Sequence, residues 1–168
     1  CNVETCKISG RIEAKEFKGG DYRVSGLIKG SNVKAKTLRV SGRIKVEEDI
    51  EVDELYLKRG ELYTGGIVKA SEVVVEHGRR EGWEIKILGI SLIKIGPTWE
   101  KGRSIIRAKK LEANFVKLEE TSVYCDIYGK KVILGPDTVV HGNVYYTENV
   151  EVDPKAQVLG EVKQVTSF

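Results

Sequence analysis

One spacing constrains this chain more than any other feature. A short apolar-Ser-Gly-x-apolar unit recurs every 16 residues, as Ile8-Ser9-Gly10-Arg11-Ile12, Val24-Ser25-Gly26-Leu27-Ile28 and Val40-Ser41-Gly42-Arg43-Ile44. Leu57 to Gly60 and Val75 to Gly78 continue the series, so its glycines stand at 10, 26, 42, 60 and 78. Apolar columns keep the same steps: Leu38, Leu55 and Val73, then Val40, Leu57 and Val75. The C-terminal third repeats with a step of 18, in Pro136 to Gly142 and Pro154 to Gly160. Val132 and Val150, Leu134 and Val152, Val140 and Val158, and Val144 and Val162 share that step. Ile106 and Tyr124 read as the backward extension of the Val140 column.

Within each unit the apolar residues alternate, as in Ile50, Val52, Leu55 and Leu57. Period two marks strands with one buried face, and frequent Val, Ile, Thr and Tyr favour strand over helix. Strands of three to five residues at a fixed period cannot bury a face alone, but successive coils of a solenoid bury it together. A coil of 16–18 residues is then three short strands joined by tight bends, stacked about 4.8 Å apart. Glycine serves the bends, and alternating Lys and Glu face water. The rival, an antiparallel sandwich, needs hairpin turns such as Asn-Gly. The chain contains no Asn-Gly or Asp-Gly pair. The expected fold is all-β: a parallel β-helix of 16–18 residue coils, one domain over residues 1–168, with one irregular insertion at about 79–102.

The register is lost from Arg79 to Gly102. This stretch holds the most apolar run of the chain, Ile85 to Ile95, flanked by Trp83 and Trp99. The simpler reading is one more coil with a longer loop. The alternative is an inserted hairpin that covers a face or meets a partner. A second ambiguity lies in Ala108 to Glu120, where Leu111, Phe115 and Leu118 have helical spacing. Its place between two repeat columns favours strand and turn.

The chain has 168 residues with 28 basic and 25 acidic side chains, for a net charge of +3. The signs are interspersed, so the excess gives no argument for nucleic acid. No apolar run is long enough to span a membrane. No export signal is visible, so a cytoplasmic location is expected. The three cysteines, Cys1, Cys6 and Cys125, fit no disulfide framework or tetrahedral metal site.

Catalysis requires convergent titratable groups. The two histidines, His77 and His141, lie in different halves, and His141 takes the place Leu159 takes one repeat later. Asp126, Asp137 and Asp153 are candidates for an acidic face of the kind carbohydrate-cleaving β-helices use, but Asp137 and Asp153 sit beside Pro136 and Pro154, as turn residues do. The pairs Arg79-Arg80, Lys109-Lys110 and Lys130-Lys131 read as solvated bends rather than phosphate contacts. Phosphate-loop and dinucleotide fingerprints are missing. The expectation is no catalytic residue, no cofactor and no metal.

The Ile/Val-Ser-Gly-x-Ile units at Ile8, Val24 and Val40 resemble those of bactofilins, polymer-forming cytoskeletal proteins. The stretches Lys131-Val-Ile-Leu-Gly-Pro-Asp137 and Val150-Glu-Val-Asp-Pro-Lys-Ala156 are similar to the ends of a bactofilin-like branch. The resemblance covers most of the chain except about 79–102. It implies a right-handed parallel β-helix that assembles end to end without nucleotide, with filaments that scaffold partner proteins or lie on membranes.

Both ends of such a solenoid expose unpaired backbone groups. The C-terminal units run Val158, Val162, Val165 and Phe168, and the N-terminal ones begin at Val3, Ile8 and Ile12. The leading expectation is a structural subunit that self-associates through these ends, with Phe168 buried against a partner coil. The second is a non-polymerising binding module with the Ile85–Trp99 insertion as its surface, through Trp83, Ile90, Leu92 and Trp99. The third is an enzyme with an acidic face. Expected partners are a second copy, other proteins or a membrane surface, and no nucleic acid.

Overall fold

The computed structural model describes residues 2–76, 83–87, 90–95 and 103–168, with side chains described for 4–76 and 103–168. Cys1, His77 and Trp99 lie outside the described residues, as do the side chains of Val3, Trp83, Ile90 and Leu92. The described elements are all strands, and fifteen of them form one sheet, a parallel β-solenoid of about 8 turns.

Each turn is a long strand followed by a short one. The first four turns are β1 (Asn2–Ile8) with β2 (Arg11–Glu13), β3 (Glu16–Val24) with β4 (Leu27–Gly30), β5 (Asn32–Val40) with β6 (Arg43–Val46), and β7 (Ile50–Leu57) with β8 (Glu61–Thr64). Then come β9 (Ile67–Val75), the separate pair β10 (Trp83–Ile87) and β11 (Ile90–Ile95), and the long strands β12 (Ser104–Leu118) and β13 (Thr121–Leu134). The chain ends with β14 (Val139–Val140), β15 (Val144–Val152), β16 (Gln157–Val158) and β17 (Val162–Gln164). Long strands pair in parallel in the order β1-β3-β5-β7-β9-β12, and short ones in the order β2-β4-β6-β8-β12. The bifurcated role of β12 is simple: residues 104–107 continue the short-strand row, and residues 110–118 start the next long strand.

The long strands are bent once. Register runs Gly19 to Ala35 and Asp21 to Thr37 but skips Gly20 and Lys36. The same break recurs at Asp53, Ser71, Asn114 and Lys130. Each turn therefore has three straight segments, as the repeat length predicts. Alternation then delivers one side chain in two to the interior. The first segment contributes Phe17, Val33, Ile50, Val68, Leu111, Ile127 and Val144, all buried. The second contributes Tyr22, Leu38, Leu55, Val73, Val116 and Val132, and the third Ile28, Ile44, Leu62, Ile106, Val123 and Val140. These ladders form one core along the axis.

The structure chooses between the two readings of the insertion and corrects one column of the repeat. The antiparallel pairing of β10 with β11, from Trp83 opposite Ile95 to Ile87 opposite Ile90, makes the interruption an inserted hairpin rather than a longer-looped coil. Residues 76–104 occupy the place of the two-residue bend Ser41-Gly42, because Val75 follows the Val40 column and Ile105 the Arg43 column. The Val140 column also runs back through Val123, not Tyr124. Val123 is fully buried, whereas Tyr124 points outward. The steps are thus 17 and 17, and the shift by one residue exchanges the two faces. Residues 108–118 are strand, as the repeat argues. Leu111 and Leu118 point inward and Phe115 is placed opposite Glu72 and Lys131 on the outer wall.

Candidate functional site

The C-terminal tip is where the interior opens. Val144, Val140, Val132 and Leu134 are buried to 1% or less, and their successors one turn later are Val162, Val158, Val150 and Val152. Nothing described stacks beyond these. Val162 is 43% and Val152 45% exposed, although both occupy inward positions of their ladders. The segment Asn149–Val152 pairs only with β13, β16 only with β14, and β17 only with β15. Among the described residues the tip thus combines uncovered valines with a row of strand edges. Such a surface is a template for another strand.

Val165 continues past β17, its N–H donating to the Tyr146 carbonyl at 2.8 Å. Phe168 follows three residues later. Its ring meets Tyr128 edge-on at 6.1 Å, on the outer wall, and remains half exposed. The N-terminal tip is built differently. Ile8 is buried at 8%, and Cys6 and Ile12 are half-buried. One turn in, Phe17 and Tyr22 pack edge to face at 6.1 Å, both 1% exposed, and the Tyr22 hydroxyl donates to the Lys18 carbonyl at 2.8 Å. Two large rings therefore plug the core beneath the first coil.

The titratable candidates are dispersed. His141 stacks on the Tyr124 ring at 4.2 Å, on the outer wall. Asp126 Oδ1 accepts the Asn143 N–H at 2.7 Å, and Asp153 Oδ1 accepts the Lys155 N–H at 2.8 Å. Asp137 holds a left-handed backbone with φ of 55°. Each aspartate thus has a local role at a bend. Cys125 is buried, and burial pushes its thiol up to about 12. Among the described residues no group of three or more His, Cys, Asp or Glu is placed to hold a metal ion.

The outer wall carries features that the repeat analysis missed. Arg107 lies over the Tyr124 ring at 4.4 Å and Lys110 over Tyr128 at 3.8 Å, and Tyr128 stacks on Tyr145 at 4.6 Å. Elsewhere opposite charges meet across or along strands. Lys34 pairs with Glu51 at 2.8 Å and Arg43 with Glu61 at 2.5 Å. Hydrogen bonding to Arg43 holds the Glu61 carboxyl below its usual range, and hydrogen bonding to Glu51 raises Lys34. One groove, of about 690 Å³, departs from this pattern and gathers Lys7, Arg23, Arg39 and Lys58. The signal was present in the sequence, since the residue before each apolar-Ser-Gly unit is Lys7, Arg23 or Arg39.

No family model, no curated protein and no solved structure matches this chain. The register of the parallel strands alone therefore carries the fold. No helix among the described residues is long and apolar enough to cross a membrane.

Proposed function

We propose that the protein is a non-enzymatic structural subunit of bactofilin type, which assembles through the tips of its solenoid without nucleotide. One observation carries this reading: inward ladder positions that are sealed in every earlier turn stand open at Val152 and Val162. Covering an apolar side chain there contributes about 25 cal/mol for each Å² removed from water, and strand pairing satisfies the open edge at the same time. The outward setting of Phe168 makes it a flank of this contact rather than its centre.

The test replaces Val152 and Val162 together by glutamate. Sedimentation of the parent chain should show assemblies that grow with concentration, and electron microscopy should show rods about 30 Å wide. The double variant should sediment as a monomer with an unchanged strand spectrum. A parent chain that stays monomeric at high concentration, or a double variant that assembles as before, overturns the proposal.

The second reading, a binding module acting through the insertion, draws support from the hairpin β10–β11, which stands apart from the fifteen-stranded sheet. Its apolar sequence from Ile85 to Ile95 gives it the composition of a contact surface. A chain lacking residues 79–102 separates the two readings, because tip-to-tip assembly does not require the hairpin.

A further inference from the structure

We infer that the groove along Lys7, Arg23, Arg39 and Lys58 binds an extended acidic peptide segment of a partner protein. Lys7 lies opposite Arg23 in the pairing of β1 with β3, and Arg23 opposite Arg39 in that of β3 with β5. Like charges directly opposite on neighbouring strands are destabilising. At other facing lysines a carboxylate intervenes, as Glu51 with Lys34 where Lys34 faces Lys18, and Glu13 with Lys29 where Lys29 faces Lys45. Here it does not. Lys7, Arg23 and Lys58 make no ion pair among the described residues, and Arg39 rests on the Tyr56 ring at 5.1 Å. All four are exposed. The single carboxylate lining the groove, Glu76, pairs with Lys117 at 3.6 Å.

The groove's shape selects a narrow occupant. Asp21, Thr37, Glu54 and Glu72 form a parallel column two residues before Arg23, Arg39, Tyr56 and Val74, with carboxylates at three of its four positions, and none of them lines the groove. A flat anionic surface, such as a membrane or a nucleic-acid duplex, would lie over both columns and meet the carboxylates. A single extended strand along Lys7, Arg23 and Arg39 meets the cations without reaching that column. The cationic stretch spans three steps between coils, about 14 Å, which an extended segment of four or five residues covers. Past Arg39, on the coil of Lys58, the column continues with the half-buried Tyr56 ring. That sequence of charge and then apolar surface matches acidic side chains followed by an apolar one. A uniformly charged polymer has nothing to offer the second part. The groove lies on the side wall, so this inference does not depend on assembly through the tips.

The experiment measures fluorescence anisotropy of a labelled peptide, Glu-Asp-Glu-Asp-Leu-Val, titrated with the full chain. Its Gln-Asn-Gln-Asn-Leu-Val counterpart, inorganic polyphosphate and phosphatidylglycerol vesicles are the comparison ligands. The acidic peptide should bind saturably, and more weakly as salt rises. Arg23→Glu with Arg39→Glu should weaken it by about tenfold or more, and Lys45→Glu, at an exposed lysine outside the groove, should leave it unchanged. Circular dichroism checks that each variant keeps its strands. Absence of saturable binding by the acidic peptide, equal binding of the uncharged one, or insensitivity to the double reversal overturns the inference. Tighter binding of polyphosphate or vesicles than of the peptide overturns it as well.

Discussion

Gly26 shows how a single residue is fixed by the turn beneath it. A Cβ on Gly26 would collide with the backbone of Gly10, 2.7 Å from its carbonyl carbon, whereas a Cβ on Gly10 would meet nothing within 4 Å. Both glycines belong to the same repeated unit, but among the described residues only Gly26 has a coil stacked beneath it. Gly26→Ala should therefore lower stability by about 1–3 kcal/mol through forced backbone displacement. Gly10→Ala should stay within about 0.5 kcal/mol of the parent, and paired thermal melts check both. Cys125 makes a second case. Its thiol is raised from 9.0 to about 12 by burial first, with Asp126 adding to the effect. The neutral form is favoured in the folded chain, so its contribution to stability is complete below pH 9 and declines as pH rises towards 12. At pH 8 a thiol reagent should spare Cys125 in the folded protein and label it after unfolding, as peptide mapping would show.

Among the elements, the short strands are held by their neighbours rather than by their own length. Residues 105–107 of β12 pair with both β8 and β13, so the turn is re-entered in register after the insertion. Replacing residues 76–104 by a Ser-Gly bend should preserve the strand spectrum and a cooperative melt. Loss of cooperativity would show that the hairpin supports the solenoid. The ion pairs between short strands contribute little by comparison. Arg43 and Glu61 are partly exposed, and such pairs stabilise by about 0–1 kcal/mol. Arg43→Gln should leave the melt close to that of the parent, and NMR titration should find the Glu61 carboxyl risen towards its ordinary value. The sign follows from the depressed carboxyl: its stabilisation is present above the ordinary range and lost as acid protonates it.

At the scale of the whole molecule the two tips are unequal. The N-terminal one is closed from within by Phe17 and Tyr22, and the C-terminal one is open at Val152 and Val162. Assembly through the tips should therefore respond far more to charge at the C-terminal end. Ile12→Glu should weaken assembly less than Val162→Glu when sedimentation is compared at equal concentration. An equal loss from both would mean that the two tips contribute alike.

The amino-acid sequence by itself determined the stacking. A repeat of 16–18 residues with alternating apolar positions admits parallel coils and little else, because each coil can bury its face only against the next. Inward residues such as Leu38, Leu55 and Val73 were legible for that reason. The choice between Val123 and Tyr124 was not, since both are apolar enough for strand and differ by a single step of register. Tertiary pairing decided it by placing Val123 over Ile106. The basic groove was written in the residues before each Ser-Gly bend, yet only the stacked coils showed that Lys7, Arg23 and Arg39 face one another without intervening carboxylates. The open tip had the same character. Val152 and Val162 repeat the pattern of buried positions, and only the three-dimensional arrangement shows that no further coil among the described residues covers them, because burial depends on what lies above a residue as well as on the residue itself.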